Sequence, residues 1–380
     1  MADALMLCPE APYPMRGGGP LRTACLLEYL AARYTLDVIT FREPGTADPR
    51  LAFPGGLVRE VRVIDLPYHG RSAAARAARN ARRFVAGAPP LVDRFSGFRL
   101  PLTRRYDLAV VEHFWCAGYV RHLRQHAARV VLDLHNVESV LLRRCAETEG
   151  AAGRMVFRRF AMACERMESA LLPEFDLLLV PSELDRDAVG KGLVWPNAIP
   201  LFPRPDCLKR DEIVFSGNMA YHPNTAAAHW FASAIWPLVR DRHPGVIWNL
   251  VGKGPEALRL PGGDTRVRVT GPVEDALSAL APARAAVVPL LSGSGTRFKI
   301  VEAWAAGVPV VSTTIGAEGL GATDGVHLLL TDSPASFADA VSSVLTEEVS
   351  ARRLAEAGRA LYEERFTWPV AWKVLESAGL

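Results

Sequence analysis

The segment from Pro289 to Thr313 reads Pro-Leu-Leu-Ser-Gly-Ser-Gly-Thr-Arg-Phe-Lys-Ile-Val-Glu-Ala-Trp-Ala-Ala-Gly-Val-Pro-Val-Val-Ser-Thr, and it gathers the residue types that hold a phosphorylated ligand. Gly293 and Gly295 let the backbone approach an anion, free N–H groups at the start of a helix near Arg297 point at it, and the helix dipole favours negative charge. Arg297 and Lys299 in the first turn oppose that dipole, so two cations there imply an anion that neutralises them. Glu302 follows Lys299 at i, i+3, where its carboxylate can accept two hydroxyl hydrogens from a ribose. Read by itself, the loop is equally well explained as a plain strand-to-helix turn with solvated charges. Only five of the 44 basic residues are lysines, which singles out Lys299 and, in a glycine turn, Lys253.

His135 closes an apolar run, Ala128 to His135, and His113 closes another, Tyr106 to His113. Strand ends of this kind are where open parallel sheets carry ligands; His113 is expected to be structural or to face an acceptor. Gly252-Lys-Gly-Pro-Glu-Ala257 has the G-x-G-x-x-A form of a dinucleotide site, with Glu274 and Asp275 about 20 residues on. It does not follow the first strand of its series, and Pro255 simply starts a helix, so a nicotinamide oxidoreductase is the weaker reading.

These residues need parallel strands and crossover helices to position them, and short apolar runs do alternate with helical patterns along the chain. A first series has strands predicted at 4–9, 35–41, 58–66, 106–113, 128–135, 175–182 and 193–196, with helices at 21–33, 154–172 and 183–189. A second has strands at 212–216, 245–252, 266–271, 285–290, 308–313 and 327–331, with helices at 224–243, 273–280, 298–306, 334–346 and 350–366. Between them, Pro196-Asn-Ala-Ile-Pro-Leu-Phe-Pro-Arg-Pro205 has four prolines and reads as an extended linker. The expected class is α/β, two Rossmann-like parallel-sheet domains facing a central cleft.

With 380 residues, 49% hydrophobic and 22% charged, disordered and fibrous classes are excluded. The six cysteines form no C-x-x-C pair, which reads as reduced thiols in a cytoplasmic protein without structural zinc. No run reaches the roughly 18 apolar residues of a membrane span. Between Arg71 and Arg105 stand nine arginines and one acid, Asp93, and Arg76, Arg79 and Arg83 share helical spacing. Peripheral contact with an anionic membrane through Arg71–Arg105, at its inner face, is one expectation. Nucleic acid is not expected, because interleaved aromatics are missing.

The stretch from Gly295 to Ser312 resembles the donor-nucleotide motif of retaining GT-B-fold glycosyltransferases of family 4, the group 1 family. In the same order along the chain, Arg16-Gly-Gly-Gly19, Leu132-Asp-Leu-His-Asn-Val-Glu-Ser139, Val180-Pro-Ser-Glu, Phe215-Ser-Gly-Asn, Val251-Gly-Lys-Gly-Pro255 and Arg365-Phe-Thr-Trp368 resemble further segments of that family. The resemblance implies an N-terminal acceptor domain at 1–198, onto which a helix at 368–380 packs back, a linker at 199–210 and a donor domain at 211–367. It implies that Glu302 takes the ribose and that Gly217, Gly295, Thr296, Arg297 and Lys299 hold the diphosphate. Gly17, Gly18 and Gly19 would form a loop beside phosphate and acceptor, and His135 would act in the cleft with Arg297 and Lys299 as catalytic groups. The implied activity is hexosyl transfer from a UDP- or GDP-sugar to a glycan, lipid-linked or small-molecule acceptor, as in polysaccharide biosynthesis, retaining, with no metal and no cofactor. A sugar-nucleotide epimerase or a noncatalytic subunit of the same fold is the alternative. Ser294 stands where the family usually has a second acid, so the sugar is not assigned. The loop Gly217 to Asn224 lacks the family's usual cations, so Arg297 and Lys299 must meet the phosphate charge.

Overall fold

The computed structural model describes residues 1–380 except 71, 255–257, 259, 261–262 and 294–296. The chain divides into two compact units, Met1–Trp195 with Trp372–Leu380, and Pro196–Ala371.

The first unit has a seven-stranded sheet: β1 (Ala2–Cys8), β2 (Tyr34–Arg42), β3 (Glu60–Asp65), β4 (Tyr106–Glu112), β5 (Ala127–Asp133), β6 (Leu177–Val180) and β7 (Leu193–Val194), in the order β3-β2-β1-β4-β5-β6-β7. The second has six: β8 (Arg210–Ser216), β9 (Ile247–Val251), β10 (Val267–Val269), β11 (Ala283–Val288), β12 (Val310–Ser312) and β13 (Leu329–Leu330), in the order β10-β9-β8-β11-β12-β13. Every pair is parallel. Central strands covered on both faces need continuous apolar runs rather than alternation, and Ala4 to Cys8 of β1 are fully buried. All thirteen strands expected from the sequence are present, several of them shorter by one to three residues at an end.

The helices depart from expectation in several places, among them the unexpected short helices Pro90–Phe95 and Val120–Leu123. The predicted single helix 224–243 is His222–Trp230 and Trp236–Arg242 joined by a π turn at Phe231–Ile235. Pro237 has no N–H to give and crowds the preceding turn, so the ladder widens there. The helix expected from Val273 starts at Ala276, because the Asp275 side chain accepts from the Ser278 N–H and caps it. Glu138–Glu147 is a helix that the sequence reading did not identify, and it packs on the long helix Ala151–Leu171.

The proline stretch after Pro196 is pinned rather than free. Ile199 bridges Thr367, the Phe202 N–H donates to the Tyr362 hydroxyl, and that hydroxyl donates to the Pro200 carbonyl. The last helix, Trp368–Ser377, begins in the second unit, where the Trp368 indole donates to the Ala198 carbonyl. From Trp372 onward the chain belongs to the first unit: the Trp372 indole donates to the Cys25 carbonyl and the Tyr29 hydroxyl to the Leu380 carbonyl at 2.6 Å.

Two loops of the second unit meet backbone to backbone. Gly217, after β8, and Gly252, after β9, have φ of 152° and 143°. A Cβ at Gly252 would collide with the Gly217 carbonyl. Gly252→Ala should therefore destabilise the second unit by about 1–3 kcal/mol, read as a lower midpoint in thermal unfolding. Gly245→Ala, where a Cβ meets open space, should stay within about 0.5 kcal/mol of the parent.

Candidate functional site

Two clusters of ionisable groups stand at carboxyl ends of strands, one in each unit, and each is described by itself.

In the first unit, β4 ends at Glu112 and β5 at Asp133, both fully buried, and each acid leads into a histidine-bearing turn. His135 Nε2 lies 2.7 Å from Glu112 Oε2 and 3.4 Å from Asp133 Oδ2. Arg22, in the helix Gly18–Ala31 and 1% exposed, donates through Nε and a terminal nitrogen to both oxygens of Asp133 at 2.6–3.1 Å. Its other terminal nitrogen donates to the Trp195 carbonyl at 2.9 Å, and its guanidinium lies 4.3 Å from the centre of that indole. The Thr23 hydroxyl donates to Glu112.

Burial drives the pKa values here, and the charged neighbours then sort them. Burial, with Asp133 beside it, holds the Glu112 carboxyl above its usual range. Burial works the same way on Asp133, but Arg22 and His135 overcome it and keep the group low. For His135, burial opposes the charge and the two carboxylates outweigh it, so its pKa rises. His113 is pushed well down by burial and by the charges of His135 and Arg22, so it is neutral.

His113 has a φ of 62°, a backbone conformation that non-glycine residues rarely hold and that concentrates at functional sites. Its ring lies between Trp115 at 4.1 Å and His135 at 3.5 Å, centre to centre. The Trp115 indole donates to Glu138, whose carboxyl burial raises to about 7. The predicted glycine loop lies against this stack. Gly17, with φ of 103°, starts the helix that Gly18 and Gly19 open, and a Cβ on Gly19 would stand 3.9 Å from both His113 Nε2 and His135 Nδ1. His135 and Gly19 are thus brought together.

Glu112, Asp133 and His135 present ligand atoms within 4.8 Å of one another. The Arg22 guanidinium already neutralises Asp133, which leaves a poor set for a cation. Asp185-Arg186-Asp187, the one Asp-x-Asp in the sequence, sits elsewhere, with Asp185 closing the cap of its helix against Ser182.

In the second unit, the helix Phe298–Ala305 opens after β11 as the sequence predicts, with Arg297 at its N-cap, whose side chain makes no cap hydrogen bond. Lys299 is half-buried; its ammonium donates to Asn224 Oδ1 and lies 4.7 Å from the centre of the Phe215 ring. The Asn224 amide donates to the Asn218 carbonyl at 2.9 Å. A Cβ on Gly217 would come 2.7 Å from Asn224 Nδ2 and 3.3 Å from Lys299 Nζ. The loop Gly217 to Asn224, which has no cation of its own, therefore receives one from Lys299. Burial, reinforced by the charge of Arg297, lowers the Lys299 ammonium to about 7, and burial raises the Glu302 carboxyl to about 7.

Arg297 turns away from that pair. Its guanidinium donates to the Ile315 carbonyl at 3.2 Å and wraps Gly293, whose Cβ position is 3.0 Å from it. Gly295 and Thr296, the other expected phosphate contacts, lie outside the described residues, as do Ser294, Arg71 and residues 255–257 of the dinucleotide-like turn. Lys253 offers its carbonyl to the Met219 N–H. Asn224, Arg22, Glu112 and Asp133 were not identified from the sequence. The two acids carry a signal, since each ends an apolar stretch, Leu108 to Val111 or Val130 to Leu132, directly or two residues before a histidine.

The basic stretch is already partly paired. Arg82 and Arg83 bind Asp93, Arg94 binds Glu43, and Arg104 lies 3.7 Å from Asp37. Among the described residues no helix is long and apolar enough to cross a membrane.

Comparison with known proteins agrees with this architecture. Residues 210–347 match the family model described as glycosyl transferases group 1. Sucrose-phosphate synthase from Thermosynechococcus elongatus superposes with a TM-score of 0.72 at 18% identity, covering 99% of this chain and 98% of that one. Anabaena HepE in complex with UDP and glucose superposes at 0.66 and 15% identity over the whole of both chains. An uncharacterized 44.6 kDa protein in the cps region of Klebsiella pneumoniae is 23% identical over 354 residues, 89% of each chain. The chain has the GT-B fold of glycosyltransferases, built from two parallel-sheet α/β domains.

The buried pair of the first unit makes a prediction. Removing one partner strands the other charge, so Asp133→Leu or Arg22→Met alone should cost about 3–5 kcal/mol in urea unfolding of the full chain, whereas the double variant should cost less than either. Additive losses would show that the two groups are not coupled.

Proposed function

We propose that this protein transfers a sugar from a nucleoside diphosphate sugar, UDP-linked in our reading, to a hydroxyl of a glycan, lipid-linked or small-molecule acceptor, with retention and without a metal. The observation that carries the reading is the Lys299 ammonium held between Gly217 and Asn224 at the start of the helix bearing Glu302, inside the region that matches the glycosyl transferase model. The complex of the similar Anabaena protein with UDP and glucose supports the choice of UDP. The relative in a cps region is the reason to place the acceptor among glycans of polysaccharide assembly.

Departure of the nucleoside diphosphate builds charge on its β-phosphate. The Lys299 ammonium and the N-terminal amides of the helix would meet that charge where it develops. Glu302, one turn on, would accept the ribose hydroxyls. Arg297 would act by bracing the loop through Ile315 and Gly293. The first unit would serve the acceptor and the transferred sugar through His135 and the Gly17–Gly19 turn, with Glu112 and Asp133 holding the imidazole in place.

Both donor-site groups titrate near 7, and this fixes a pH signature. Below pH 7 the Glu302 carboxyl takes a proton and loses its acceptor strength; above it Lys299 loses the charge that holds phosphate. UDP affinity measured by calorimetry should pass through a maximum near neutrality. Glu302→Gln should abolish the acid limb, weaken UDP about 10- to 100-fold, and leave the far-ultraviolet circular dichroism unchanged. Unaltered affinity would remove Glu302 from the ribose.

Slow release of UDP from UDP-sugar without acceptor should persist in excess chelator. Activity lost to chelator and restored by magnesium would overturn the metal-free mechanism. Binding without any turnover would favour a noncatalytic subunit instead.

A further inference from the structure

The helix Ala73–Ala86 and the first two-thirds of Ala151–Leu171 contain seven arginines and not one acid. The first ends on the second. Gly87, left-handed at 61°, terminates the helix Ala73–Ala86, and Arg159 donates to the Phe84 carbonyl at 2.7 Å and to the Val85 carbonyl at 3.0 Å. A cation at a helix C-terminus meets the negative end of the dipole, so this contact fixes the two helices together.

Met155, Arg159, Met162 and Arg166 recur at helical spacing of four, three and four, so they form one stripe. That stripe is the one carrying the end of the helix Ala73–Ala86. On it Met155 is 59% exposed, Met162 52% and, on the docked helix end, Val85 77%. A shallow concavity of about 410 Å³ lies along it, lined by the two methionines, Ala151 and the stems of Arg154, Arg158 and Arg159. Among the described residues Arg76, Arg154, Arg158 and Arg166 have no ion-pair partner, in contrast to Arg82, Arg83 and Arg94.

We propose that this two-helix surface docks on the face of an anionic lipid bilayer, with Met155, Met162 and Val85 entering the headgroup boundary and Arg76, Arg154, Arg158 and Arg166 lying among lipid phosphates. Charge complementarity selects a polyanion, and the exposed apolar side chains select a bilayer over a soluble one: arginine stems lie along apolar surface while their heads reach phosphate. The surface differs from the basic segment expected from the sequence. It draws three of its four cations from the helix Ala151–Leu171 and leaves out the arginines bound to Asp93 and Glu43. None of its residues belongs to either cluster of the candidate site, so it stands apart from the proposed transfer.

The test is flotation of the full chain with phosphatidylcholine vesicles, with and without about 30% phosphatidylglycerol, at low and high salt. Binding is expected only with the anionic lipid, weakened but not abolished by salt. Arg76→Gln, Arg154→Gln and Arg158→Gln together should reduce it about 100-fold. Met155→Ser with Met162→Ser should reduce it about tenfold and remove the salt-resistant part. UDP affinity of both variants should match the parent, which separates a failure here from a failure of the donor site. Equal binding to neutral and anionic vesicles, no binding to either, or variants that bind like the parent would overturn the proposal. So would heparin binding as tight as vesicle binding and insensitive to the methionine changes, since a soluble polyanion needs no apolar contact.

Discussion

Every strand pair in both sheets is parallel, so every connection must cross back over a face and every strand delivers its C-terminal residue to the same edge of its sheet. Faces covered by crossover helices leave little room for charge along the central strands, and a buried acid within one, Asp37 of β2, needs Arg59 and the Tyr106 hydroxyl to hold it. The two clusters form instead at strand ends, where Glu112, Asp133 and His135 stand in the first unit and where the loops after β8 and β11 meet in the second. β1, β4 and β5 are neighbours in that order, so the turn after β1, which opens the helix bearing Arg22, falls beside the ends of β4 and β5 although more than 100 residues separate Arg22 from Asp133.

Such placement has an energetic cost, because a charge taken from water must find a partner or change its protonation. The two units solve this differently. In the first, Arg22 gives Asp133 a bidentate partner and Trp195 a stacked ring and carbonyl, and the remaining excess of acid is expressed as a raised Glu112 and a raised His135. In the second, Lys299 and Glu302 are not locked in an ion pair. Each sits near neutrality, a state that an incoming anion and a pair of hydroxyls can complete. A network closed on itself suits positioning, and an incomplete one suits binding.

Arginine serves three purposes in the same chain. Arg22 is buried in charge neutralisation, Arg159 and Arg359 tie helices and loops by donating to backbone carbonyls, and Arg76, Arg154 and Arg158 stay open to solvent. The planar fork makes the first two uses effective. Counting charge along the chain cannot separate these uses, and this is why nine arginines between Arg71 and Arg105 proved to be partly an internal set facing Asp93, Glu43 and Asp37.

The sequence by itself determined the thirteen strands, because buried parallel strands require apolar runs that punctuation by Gly, Pro and Asp makes visible. It also determined the helix start at Phe298 with Lys299 and Glu302 one turn apart, since that relation is set by helical geometry within a few residues. It misled where one proline altered a helix from within, at Pro237, and where a short polar helix, Glu138–Glu147, lacked a long periodic face. Only the tertiary structure decided which groups meet: Arg22 with Asp133, Lys299 with Asn224, His113 with His135, and Arg159 with the end of the helix Ala73–Ala86. These pairings depend on strand order and helix docking across tens to hundreds of residues, and nothing in local propensity encodes them.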